Sequence, residues 1–134
     1  ELAKTNDSNN PVYYIQYAHA RICSIFRQSR ENNMTFSYSK KCLDLLSEEE
    51  ELKIIKKLYS YPDIVKKSAE RYEPHLLTNY MRELAQEIHS YYNKFQILVD
   101  DNNIRNARLS LIEACRQVLE NSSNIIGIKM PEKM

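Results

Sequence analysis

Gly127 is the only glycine in 134 residues. Tight β-hairpins draw on glycine where the backbone turns through positive φ, so a chain with one glycine has few ways to build a β-meander. Its apolar residues, mainly Leu, Ile and Ala, are mixed with Glu, Lys, Arg and Gln, which are good helix formers. An all-α domain is the expectation. A chain of 134 residues suits one domain around one core, so 1–134 read as a single unit with a leading loop over 1–10. The first residues, Glu1-Leu2-Ala3, read as the start of an excised piece of a longer protein.

The net charge of +1 is not that of a strongly basic nucleic-acid binder. A local positive patch remains compatible with it, because the acidic run Glu48-Glu49-Glu50-Glu51 offsets charge elsewhere. Cys23, Cys42 and Cys115 have no CxxC or His-x3-His spacing around them. They read as free thiols of a reducing cytoplasmic compartment rather than as metal ligands. No apolar run approaches the ~20 residues of a membrane span. Nothing resembles a Gly-rich phosphate loop or a nucleophile–base set, and paired carboxylates occur only in solvated runs. No catalytic residue, metal or cofactor is assigned.

Helical periodicity predicts five helices in a mostly antiparallel bundle. The first runs from about Pro11 to about Ser29, N-capped by Asn10, with Pro11 where a first helical residue is welcome. Ile15, Ala18, Ile22, Ile25 and Phe26 form its inner stripe, and Tyr14, Tyr17 and Arg21 lie on one flank. Residues 31–46 are irregular. Ser47 and Glu50 make a capping box for a second helix, about Glu48 to Tyr59, with Leu52, Ile55 and Leu58 inward. Pro62-Asp63 restarts a short third helix to about Arg71. Glu73-Pro74 opens a fourth to about Phe95, striped by Leu77, Tyr80, Met81, Leu84, Ile88, Tyr91, Tyr92 and Phe95. A fifth runs from about Asn103 to Ser122. His19 reads as a structural hydrogen-bonder, and Arg108 as a buried ion-pair member with an unidentified partner. Lys53, Lys56 and Lys57 read as a solvated face.

The flank of the first helix needs explaining, because a core helix has no use for so many hydroxylated rings. "NPVYYIQYAHARICSI" resembles the start of the C-terminal helical domain of arginyl-tRNA synthetases. "YMRELAQEIHSYYNKFQIL", "RNARLSLIEACRQVL" and "GIKMPEKM" resemble its later segments in order and spacing. The resemblance covers nearly the whole chain. It implies the all-α anticodon-binding (DALR) domain of class Ia synthetases. The parent enzyme would join arginine to tRNA with ATP and magnesium. Signatures like His-Ile-Gly-His and Lys-Met-Ser-Lys are absent here, so the catalytic domain would be a partner elsewhere in the parent chain. The partner implied for this piece is the anticodon stem-loop of arginine tRNA. The family's loop contacts fall on the pre-helix loop, Asn6 to Asn10, on Tyr14, Tyr17 and Arg21, on Tyr92, and on Met134. One departure is Ser122-Ser123-Asn124, where the family has a Gly-Leu pair; the resemblance therefore does not fix the path of the tail.

Every arginine anticodon has C in the middle, and specific RNA recognition stacks unstacked loop bases on aromatic or Arg planes and bonds their edges. Tyrosines on the rim of a core stripe are anchored by packing yet offer a face and a hydroxyl. Arg21 adds a planar fork, and Arg27, Arg30, Lys40 and Lys41 a positive track. Taken without the resemblance, the same tyrosines are ordinary core-edge residues and Met134 a frayed end. A helical protein–protein module with a tyrosine-rich face then stands as the alternative. The anticodon domain of a cysteinyl relative is disfavoured by "QYAHAR" and "PEKM".

Overall fold

The computed structural model describes residues 10–134. The expected loop positions Asn6 to Asn9 lie outside the described residues. The fold is all-α, with five helices and no strand among the described residues. They are α1 (Pro11–Glu31), a 3-10 helix (Lys40–Leu45), α2 (Glu49–Glu70), α3 (His75–Lys94) and α4 (Asn102–Ile126). Helices α3 and α4 pack on each other, and each packs on both α1 and α2; the 3-10 helix lies on α4.

The five segments are not those expected. The anticipated second and third helices are one continuous α2, with Pro62 inside it. Proline removes an N–H and crowds the carbonyl one turn back. Here the neighbouring Lys57 carbonyl accepts from the Tyr80 hydroxyl at 2.6 Å and the Ser60 hydroxyl at 2.8 Å. The first of these bonds ties the turn ahead of Pro62 to α3, and the apolar face continues past it through Tyr61, Ile64 and Val65. The fifth helical segment comes instead from residues 40–45, inside the stretch expected to be irregular.

The phase of α2 also differs. Its N-cap is Glu48, and its capping box joins Glu48 to Glu51, one residue later than the Ser47–Glu50 pair. The Glu48 N–H donates to Glu51 Oε1 at 3.2 Å. Glu51, Ile54, Leu58, Tyr61 and Val65 then face inward, while Leu52 (49% exposed) and Ile55 (38%) face out. The buried position of Glu51 is held from other helices. Its Oε2 accepts from the Tyr91 hydroxyl at 3.0 Å and lies 3.6 Å from Arg108 Nε. That distance is ionic contact rather than hydrogen bonding. Arg108 Nη1 donates to the Gln96 carbonyl at 2.8 Å. The partner that Arg108 required is thus Glu51. Lys57, expected in a solvated face, pairs with Glu83 and lies over the Tyr80 ring.

The core is one cluster drawn from every helix, with Ile15, Ile22, Ile54, Leu77, Met81, Leu84, Leu109 and Leu119 almost fully enclosed. Asp101 caps α4, accepting from the Asn103 and Ile104 N–H groups at 2.9 Å each. The helix runs four residues past the expected end at Ser122. The buried Ser122 and Ser123 hydroxyls donate to the Val118 and Glu120 carbonyls, both at 2.7 Å, which lets the polar pair continue a packed helix. Gly127 ends it in the left-handed conformation, φ 78°. The N–H groups of Gly127 and Ile128 both turn back on the Ser123 carbonyl. This is where a residue without Cβ is wanted, and it sends the tail back across α1.

Candidate nucleic-acid interface

Two helices and the tail build the site. Asn10 does what its residue type predicts: its side chain accepts from the Val12 N–H at 3.0 Å and opens α1 ahead of Pro11. One turn on, Tyr14 is half-buried, its ring 4.5 Å from that of His89 on α3. Tyr17 and Arg21 follow on the same flank.

Arg21 is the centre. Its guanidinium lies over the Tyr17 ring at 4.5 Å and over the Tyr92 ring of α3 at 4.4 Å. Tyr13 extends the layering, its ring nearly parallel to that of Tyr17 at 6.3 Å. Cation–π contact of this kind pre-orders a planar cation at little entropic cost. Arg21 Nη1 is also tied in-plane, 3.0 Å from His89 Nδ1 and 3.4 Å from Asn93 Oδ1.

The partners fix the tautomer of His89. A guanidinium only donates, so Nδ1 carries the lone pair. The Tyr14 carbonyl, 3.1 Å from Nε2, only accepts, so Nε2 carries the proton. Burial pushes the imidazole below its ordinary range and the Arg21 charge pushes the same way, against the opposing hydrogen bond to Tyr14.

The returning tail closes the other side. The Gln16 amide donates to the Lys129 carbonyl at 2.8 Å. The His19 ring bonds Pro131 and Glu120: Nδ1 donates to the Pro131 carbonyl at 2.9 Å, and Nε2 lies 2.8 Å from Glu120 Oε1. This is the structural role expected of His19. Burial would raise the carboxyl of Glu120, but hydrogen bonding to His19 and the charge of Arg116 outweigh it and lower its pKa.

The result is a cavity of about 320 Å³ lined by Tyr17, Arg21, Arg27, Tyr92, Glu132 and Met134 among others. That is within the size range of small-ligand pockets. Four of the six expected contact residues, Tyr17, Arg21, Tyr92 and Met134, therefore meet in one place, although the last two come from α3 and the tail. Tyr14 sits behind the pocket, and Asn10 is enclosed at the head of α1 (1% exposed). A second cavity, about 330 Å³, adjoins through Arg27 and Glu132 and is walled by Arg30, Phe26 and Phe36. Lys40 and Lys41 are exposed on the 3-10 helix. Sequence reasoning missed His89 and Asn93. Their spacing from Tyr92 places His89 on the same flank of α3, and that was the available signal.

Among the described residues no group of three or more His, Cys, Asp or Glu is arranged to hold a metal. No helix there is long and apolar enough to cross a membrane.

The DALR anticodon binding domain family matches residues 15–134. The arginine–tRNA ligase of Coxiella burnetii is 46% identical over 136 residues, an alignment spanning 100% of this chain and 23% of that protein. The Legionella pneumophila enzyme is 47% identical over 136 residues with the same coverage. The solved arginyl-tRNA synthetase of Thermus thermophilus superposes with a TM-score of 0.79 at 27% identity, covering 98% of this chain and 22% of that one. The chain spans about a quarter of the length of the curated relatives it matches. A match that runs from the first buried turn of α1 through the tail that walls the cavity takes in the whole arrangement: this chain belongs to the DALR anticodon-binding domain family.

Proposed function

We propose that this chain recognises the anticodon loop of arginine tRNA as one domain of an arginine–tRNA ligase. The observation that carries the reading is the convergence of Tyr17, Arg21, Tyr92 and Met134 on one cavity. The middle anticodon C enters there. Its ring stacks on the tyrosine layer, its edge takes hydrogen bonds from the pre-ordered Arg21 fork, and Met134 packs against it. Base–aromatic stacking is worth about 1–3 kcal/mol per base. Asn10 and Tyr14 contribute at the loop's approach to α1, Asn10 by capping the helix and Tyr14 by packing on His89 behind the cavity. Arg27 and Arg30 of the adjoining cavity attract the backbone of neighbouring nucleotides.

Arginine, ATP and magnesium belong, in this reading, to a catalytic domain elsewhere in the parent chain, in the cytoplasm. That catalytic domain is also the partner of this one.

The test is binding of an arginine anticodon stem-loop, and of the same loop with the middle C changed to U, at two salt concentrations. We expect a preference for C that Tyr17→Ala and Tyr92→Ala each reduce by about tenfold or more, on an affinity that falls with salt. Salt-insensitive binding would overturn the assignment in favour of a protein-binding face, and salt-dependent binding with no difference between C and U would overturn the reading of the middle base in favour of a module that holds only the RNA backbone.

A further inference from the structure

We infer that His89 is the positioning residue of this site: as the neutral Nε2–H tautomer it latches Arg21 in its donating pose, and taking up a proton releases it. The inference rests on the anticodon reading above for its consequence, but not for its geometry.

The imidazole is enclosed (6% exposed) between two helices. From α1 it meets the Tyr14 carbonyl and ring, the Tyr17 ring at 5.4 Å, and the Arg21 guanidinium. On its own helix, Asn93 shares Arg21 with it. Among the described residues no carboxylate bonds to the ring. A proton on Nδ1 would therefore turn the acceptor of Arg21 into a second donor, with two cations about 3 Å apart; Glu132 and Lys133 of the tail line the same cavity, but among the described residues no anion is bonded to either cation. The contact cannot survive in that form. Arg21 would keep only the longer bond to Asn93 and its two ring faces, which hold a plane loosely but do not fix its rotation. At neutral pH the latch is closed, because burial and Arg21 both disfavour the charged ring.

The sign follows from that. Arg21 is fixed above the range in which His89 titrates and freed as pH falls through it. Recognition of C, which needs a donor at a set angle, weakens in acid, while phosphate attraction does not.

The experiment uses the 134-residue chain with labelled histidine and arginine. Nitrogen NMR reads the His89 tautomer and the Arg21 side-chain signals from pH 8 to pH 5, alongside binding of the C and U stem-loops. We expect an Nε2–H ring at pH 8. We also expect Arg21 signals that pass from restrained to averaging with the His89 titration, and a C-over-U ratio that drops about tenfold, the scale of one charge-assisted hydrogen bond. His89→Asn, which keeps an acceptor near the Nδ1 position and does not titrate, should retain the ratio and lose its pH dependence; His89→Leu should lose the ratio at every pH. An Nδ1–H ring, Arg21 signals indifferent to the His89 titration, or a His89→Leu chain that folds and still prefers C would overturn the proposal. The NMR result stands whether or not the chain discriminates C from U, so failure of the anticodon reading is seen separately.

Discussion

At the scale of single residues, the sequence states needs more clearly than it states partners. An arginine on the inner face of α4 demands a counter-charge, and that demand is legible from the position of Arg108 alone. Glu51 is not legible as the answer, because it sits in a run of four glutamates that reads as solvent-facing until α3 and α4 are in place. The Tyr91 hydroxyl completes the arrangement. Burial and the neighbouring carboxylate both raise its pKa, so it remains a donor. Removing the cation leaves a carboxylate that is 1% exposed with only a phenol and a backbone N–H. Arg108→Met should therefore lower unfolding free energy by about 3 kcal/mol, measured by urea denaturation. A loss below about 1 kcal/mol would mean that the pair contributes placement rather than stability.

At the scale of elements, periodicity identified every α-helical stretch, and the errors lie where local chemistry was overruled by packing. The Ser47–Glu50 box is good local chemistry. It lost to the Glu48–Glu51 box, which accompanies a face that turns Ile54, rather than Leu52 and Ile55, to the core and Glu51 to Tyr91 and Arg108. Pro62 is a reasonable stop signal, yet the Tyr80 hydroxyl, from another helix, pins the turn before it at the Lys57 carbonyl, and packing carries the helix on. The end of α2 was found to within a residue. It is made without glycine: Tyr72 takes the left-handed conformation there, φ 53°, with its side chain 93% exposed. A bulky residue in that region is strained, and the ring packs on little that would offset it. Tyr72→Gly should stabilise the chain by about 1 kcal/mol, seen as a higher urea midpoint with an unchanged slope. A decrease would show that the exposed ring has a contact worth more than the strain.

At the scale of the whole molecule, periodicity and composition made the all-α class legible and put Tyr17 and Arg21 on one flank; Tyr92 and Met134 entered the site only by resemblance. Nothing local says that residues 129–134 double back over α1, since the segment has neither stripe nor cap. Its course comes from Gly127 and from bonds to Gln16 and His19. A chain ending at Gly127 should keep its helical circular dichroism and lose about 2 kcal/mol, from the Met130 packing and the His19 bond. The preference for C proposed above should vanish with the missing wall. If the preference survives, the tail is a brace rather than part of the pocket.

The bond from His19 to Pro131 joins residues 112 apart in the chain. On the ribosome, where chains grow at about 5–20 residues per second, His19 is made roughly 6–22 s before the Pro131 carbonyl that it holds in the segment completing the cavity. Until then the tyrosine flank has its floor but not its far wall. A nascent chain therefore carries the aromatic face without the enclosure that the proposed discrimination among RNAs requires. In the reading proposed above, selectivity arrives with the tail, long after the helix that supplies most of the cavity's side chains.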